Sequence, residues 1–191
     1  YASMMYVRIP APMTIEDMES AVNETIEANS SVFEDDDEHR VMIDVSRGLL
    51  SIYEGVLGLP KGPNVIIADF PLRWTVAGMG HLFDTGINAV IPSQRAIPAS
   101  LIDPKIENRS RIHYLIANVQ ASNNSGEDNW ALLLDTDGFI AEGTGDNFFI
   151  IKDRTILSPE GRNILRGISR EYVMRELAPQ LGLDVVEKNI D

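Results

Sequence analysis

A mixed α+β fold in two domains is predicted by three features of this 191-residue sequence. Apolar residues recur at helical spacing in Ile15, Met18, Val22 and Ile26, then alternate at strand spacing in Val41, Ile43 and Val45. Around residue 98 the texture changes, after a stretch over residues 92–104 that holds three prolines and little periodicity. That stretch predicts a boundary between a small α+β domain over residues 1–97 and a larger domain over 98–191. A hydrophobic fraction of 44% with 24% charged residues is enough for a real core in each.

The elements follow in order. Tyr1 opens the chain inside what reads as a strand. Thr14 has the position of an N-cap with Asp17 three residues on, which starts a helix running to about Ala28. The acidic run over residues 34–38 lacks the glycine and alternation of a calcium loop, so it reads as a solvated connection to the strand over 41–45. Ser46, Arg47 and Gly48 turn into a Gly- and Pro-punctuated loop ending near Pro63. Strands follow over 65–68 and 87–91, and between them Trp74, Met79, Leu82 and Phe83 read as core contacts while Gly78, Gly80 and Gly86 keep any helix short.

In the second half, residues 109–121 read as a helix. Strands over 130–134 and 139–141 are joined by a turn at Asp135, Thr136, Asp137 and Gly138, and a second hairpin pairs 148–151 with 155–157. Ser169 reads as the cap of a helix with an apolar face of Tyr172, Val173, Leu177 and Leu181. Gly182 stops that helix, and Val185 and Val186 begin a last strand.

Composition removes several classes of function. A net charge of −13 leaves no basic face for nucleic acid. There is no cysteine, hence no disulfide, thiolate metal site or cysteine nucleophile. His39 and His81 have no second ligand at a metal spacing, so no metal is expected. No apolar run reaches membrane-spanning length and no export signal is visible, which makes a soluble cytoplasmic protein the default expectation.

Two stretches carry chemistry: residues 141–151, and residues 165–170 at the mouth of a helix. Pyridoxal phosphate asks a protein for a lysine, an acid opposite the pyridine nitrogen, a phosphate cradle and groups for the substrate carboxylate. Glu142, at a strand end, could supply the acid. Gly167, Ile168 and Ser169 could offer backbone N–H groups to a phosphate at a positive helix end. Taken singly, Glu142 reads equally as a strand-end ion pair and Ser169 as a simple cap.

The run over residues 130–189 closely resembles the class IV (fold type IV) pyridoxal-phosphate aminotransferases, especially the branched-chain amino acid aminotransferases. The matching text is Ala131-Leu132-Leu133-Leu134-Asp135, Gly138-Phe139-Ile140-Ala141-Glu142-Gly143, Asn147-Phe148-Phe149, Gly167-Ile168-Ser169-Arg170 and Leu181-Gly182. The resemblance implies transamination of an amino acid with a 2-oxo acid, branched-chain type first, by a homodimer that uses pyridoxal 5′-phosphate. It puts Glu142 at the pyridine nitrogen, Leu165 on the ring, and Gly167, Ile168 and Ser169 at the phosphate. In the first half, Arg40 matches a position that helps bind the substrate carboxylate in branched-chain enzymes. Ser46-Arg47-Gly48 resembles the turn whose arginine does so in D-amino acid aminotransferases.

The same resemblance carries three departures. The family's N- and C-terminal segments are expected to be missing from this chain, and Glu107 aligns with the Schiff-base lysine. Lys105, two residues away, is the fallback lysine, sharing a face with Glu107 if the segment is extended. Two other readings therefore accompany the transaminase: a non-catalytic or truncated member that keeps the fold and dimer interface, and an aminodeoxychorismate-lyase-like or D-amino acid aminotransferase. His113, next to Tyr114 in the helix, reads as packing or a dimer contact.

Overall fold

The computed structural model describes residues 1–191 except Glu54, Leu57 and Pro60, which lie in the loop before Pro63 and outside the described residues. It divides into two compact units, Tyr1–Gly86 and Ile87–Asp191.

The first unit opens with a short helix, α1 (Ala2–Tyr6), where the sequence suggested a strand. Helix α2 (Ile15–Asn29) starts as expected: the Thr14 hydroxyl accepts from the Asp17 N–H at 3.1 Å, and the Asp17 carboxylate accepts from the Thr14 N–H at 3.4 Å. The acidic loop folds on itself, with the Asp37 carboxylate accepting the Glu34 N–H at 2.8 Å and Arg73 pairing with both Asp37 and Glu34. Strands β1 (His39–Ser46) and β2 (Asn64–Pro71) pair antiparallel from His39↔Pro71 to Ser46↔Asn64. A Cβ at Gly48 would overlap the Gly62 carbonyl, and its φ of +90° lies where only glycine is at ease, so this residue closes the loop between the two strands.

Helices α3 (Arg73–Met79) and α4 (Leu82–Thr85) end the unit. The core expected around them is not formed there: Trp74 is 63% and Phe83 93% exposed, and Met79 is exposed as well. Each helix is too short to present a full apolar stripe to the two-stranded sheet, so these rings stay outside it.

The second unit contains the buried core. Strand β3 (Asn88–Val90) runs parallel to β4 (Asn129–Leu134), and the Ala96 N–H donates to the Leu134 carbonyl at 2.9 Å. Residues 87–97 thereby belong to this unit, ahead of the boundary that the prolines suggest. Helix α5 (Ile112–Ser122) starts three residues later than the periodicity implies, with Arg111 at its N-cap position, and packs Ala117 and Ala121 on β4. Small residues at that seam let helix and sheet approach closely around Leu133, which is fully buried.

Strand β5 (Ile140–Gly143) pairs antiparallel with β4, through the expected turn at Asp135, whose carboxylate accepts the Asp137 and Phe139 N–H groups. Strands β6 (Ile150–Lys152), β7 (Thr155–Pro159) and β8 (Asp184–Lys188) form a second sheet in which β6–β7 is a hairpin and β7–β8 is parallel. The crossover between β7 and β8 is helical: α6 (Ile168–Tyr172), a π-helical turn (Val173–Leu177) and α7 (Ala178–Gln180). Gly182, at φ 62°, ends it as expected, with its N–H donating to Pro179 and the Leu183 N–H to Ala178, the double closure of a Schellman motif. The apolar face expected on this helix is only part-covered: Ala178 is buried, whereas Tyr172, Leu177 and Leu181 are exposed.

Candidate active site

Glu142 is held by a break in sheet register. Leu132 pairs with Gly143 and Leu134 with Ile140, so two residues of β5, Ala141 and Glu142, face the single residue Leu133 on β4. Such a bulge rotates the chain out of strict alternation. Ala141, Glu142 and Gly143 are consequently all buried, Glu142 to 5% exposure.

The Glu142 carboxyl accepts three neutral donors: Tyr114 Oη on Oε1 at 2.9 Å, and the Leu165 N–H at 2.9 Å with Asn147 Nδ2 at 3.3 Å on Oε2. Burial pushes its pKa up to about 7, opposed by the bonds from Leu165 and Tyr114 and reinforced by the negative charges of Asp146 and Glu107. Burial, and next the Glu142 charge, push the Tyr114 phenol far up as well, so this hydroxyl stays protonated and donates. Neither partner was visible in the sequence as such: Tyr114 is 28 residues from Glu142 and reaches it only because α5 lies on β4. Asn147 stood inside the matching text without a role.

The turn before the crossover helix meets Glu142 through Leu165, whose carbonyl accepts from Asn147 Nδ2 at 2.8 Å and from the Gly167 N–H at 3.0 Å. Gly167 occupies the N-cap position at φ −65°, ψ 144° with no side-chain cap, and Ile168 is the first helical residue. Ser169 therefore lies inside the first turn and is not the cap that its type suggested, because the Leu165–Gly167 turn starts the helix early. The N–H groups of Ile168 and Ser169 are first-turn donors without intrahelical acceptors, while that of Gly167 is already used.

Arg170 fixes this turn to the second sheet. Its side chain is 7% exposed, donating Nε to Ser158 Oγ at 3.0 Å and one terminal nitrogen to Glu187 at 2.9 Å. Arg170→Met is expected to lower stability by roughly 1.5–3 kcal/mol, since a charged donor to buried Ser158 is lost, as read by urea unfolding.

Glu107 is exposed and paired with Arg111, one turn on, which also stands within ordinary contact distance of a Cβ placed at Gly145. Lys105 Nζ lies 3.4 Å from Asp103, and hydrogen bonds from Lys105, the backbone one first, hold the Asp103 carboxyl below its usual range. His113 packs its ring 4.0 Å from Tyr114 with a buried, unpartnered Nδ1, and burial followed by the Arg111 charge lowers its pKa. Among the described residues no group of three or more His, Asp or Glu is placed to hold a metal, and no helix is long and apolar enough to cross a membrane.

In the first unit, Arg40 donates to Thr75 Oγ1 at 2.6 Å and lies over the Phe70 ring, 5.4 Å from its centroid. Arg47 donates to the Val7 carbonyl.

The model of the amino-transferase class IV family matches residues 1–191. A protein of Methanocaldococcus jannaschii assigned as a branched-chain-amino-acid aminotransferase is 33% identical over 193 residues, covering 98% of this chain and 60% of that relative. The structure of a branched-chain aminotransferase from Thermoproteus uzoniensis with norvaline aligns at a TM-score of 0.76 and 25% identity, over 99% of this chain and 59% of that one. That of the Thermobaculum terrenum enzyme in its PLP form aligns at 0.76 and 24% identity, over 100% and 58%. The chain belongs to the class IV aminotransferases. It spans less than two thirds of the length of each of these relatives.

Proposed function

We propose that this chain carries the cofactor-holding part of a pyridoxal-phosphate-dependent aminotransferase for branched-chain amino acids and their 2-oxo acids. The carrying observation is Glu142: a buried carboxyl with three neutral donors and, among the described residues, no cationic hydrogen-bond partner. Its Oε1 has room for one more donor, and a protonated pyridine nitrogen is both that donor and the missing positive charge. The turn at Gly167 agrees, since the amides of Ile168 and Ser169 stand there free of helical acceptors. The residues present fit the cofactor.

When bound, pyridoxal phosphate supplies the electron sink through which an amino group is exchanged for a keto oxygen. Glu142 keeps the proton on the ring nitrogen, Leu165 backs the ring, and the N–H groups of Ile168 and Ser169 orient the phosphate, the Gly167 N–H being committed to the Leu165 carbonyl. Arg40 and Arg47 bind the substrate carboxylate. We read the unit Tyr1–Gly86 as the small domain and the unit Ile87–Asp191 as the cofactor domain of a cytoplasmic homodimer.

Glu107 at the lysine position favours a second reading, a family member that holds the cofactor without covalent attachment. Titration of the purified chain with pyridoxal phosphate, followed by fluorescence and by borohydride labelling, tests both. Saturable binding carries the proposal, labelling at a lysine favours the transaminase, and binding without labelling favours the non-catalytic member. A chain with no affinity for the cofactor refutes both. Product analysis with L-valine, D-alanine and aminodeoxychorismate as alternative substrates separates the branched-chain reading from the other two.

A further inference from the structure

We infer that Asn147 is a positioning residue that ties the acid at the ring nitrogen to the phosphate turn, and that its side-chain amide is the reason position 167 is glycine. The inference rests on the cofactor reading for its consequence and on geometry for its substance. Asn147 Nδ2 spends both hydrogens, one on Glu142 Oε2 at 3.3 Å and one on the Leu165 carbonyl at 2.8 Å. The Leu165 N–H returns to the same Glu142 oxygen at 2.9 Å, which closes a ring of three residues from three separate segments.

Two acceptors facing Nδ2 fix which way the amide points, for the opposite orientation would set Oδ1 against a carboxylate and a carbonyl. Oδ1 is thereby aimed at Gly167. A Cβ at 167 would overlap it far inside van der Waals contact. The backbone gives no other reason for glycine, because φ −65°, ψ 144° is ordinary extended geometry for any residue. Side-chain identity at 147 and the absence of a side chain at 167 are one constraint, and it connects the two ends of the cofactor site.

A double-mutant cycle on the 191-residue chain tests this. Gly167→Ala alone is expected to lower the melting temperature by about 5 °C or more and to weaken binding of pyridoxal phosphate roughly 10- to 100-fold. In the Asn147→Ala background the same substitution costs little further, because the obstructing oxygen is gone. Asn147→Leu keeps the branched shape, adds no charge and loses both donors, so it should raise the midpoint at which Glu142 titrates, read by NMR of the carboxyl carbon in the cofactor-free chain. A purely space-filling role would not move that midpoint.

Equal cost of Gly167→Ala with and without Asn147, including failure of both chains to fold, overturns the inference. So does an unmoved Glu142 midpoint in Asn147→Leu. If Gly167→Ala alone fails to fold and the double variant folds, the coupling stands. Absence of cofactor binding by the unsubstituted chain would refute the functional reading, while the melting cycle and the titration still decide the role of Asn147.

Discussion

Glu142→Gln is expected to make the cofactor-free chain more stable above neutral pH while weakening its hold on pyridoxal phosphate. Burial raises the Glu142 pKa from 4.5 to about 7 in the folded chain. Between those values the folded chain keeps a proton that the unfolded chain has released, so stability falls as pH rises through that window and levels off above it. At about 1.4 kcal/mol per pH unit, the loss by pH 7 is on the order of 3 kcal/mol. Glutamine has the same shape and no proton to lose. Urea unfolding at pH 5 and pH 8 should show a falling stability for the unsubstituted chain and a level one for the variant. Cofactor affinity should drop about 10- to 100-fold at pH 8, where a charged acceptor for the pyridine N–H is lost. A pH slope unchanged by the substitution would place the burial cost on another group.

Glu107→Lys is expected to create a covalent attachment of pyridoxal phosphate at position 107 that borohydride fixes. Glu107 is paired with Arg111 and is close enough that its charge helps raise both Glu142 and Tyr114. Reversal of that charge should also shift the Glu142 midpoint downward, an effect measurable without cofactor. Mass spectrometry after borohydride treatment should find the label at position 107 in the variant. Labelling of the unsubstituted chain that is abolished by Lys105→Ala would instead make Lys105 the reactive lysine, freed from Asp103.

What could be read from the sequence was local. Thr14 with Asp17, Gly182 at φ 62° and the turn at Asp135 are set by residues within five positions of one another, and each formed as expected. The exposure of Trp74 and Phe83 was not legible, because apolar type states a preference and the available surface decides whether it is met. Ser169 was misplaced by two residues because the turn at Leu165 and Gly167 is shaped by Asn147, some twenty positions earlier. The Tyr114–Glu142 bond depends on how α5 lies across β4, and the bulge that buries Glu142 is a register shift with no residue type of its own.

The uneven burial of the two units has a consequence for how the chain breathes. Between Tyr1 and Gly86, among the described residues, only Pro71 is buried, whereas the buried alanines, leucines and isoleucines of the core lie from Ala96 onward. Local opening costs least where few apolar contacts must be broken. The ladder that carries Arg40 can come apart in excursions that leave the strand bearing Glu142 shut, so amide protons of β1 and β2 exchange with solvent long before those of β4 and β5. Anything that docks on this ladder would then be met by a surface that is intermittently unmade, and its arrival rate would be governed by the population of the intact ladder as much as by diffusion.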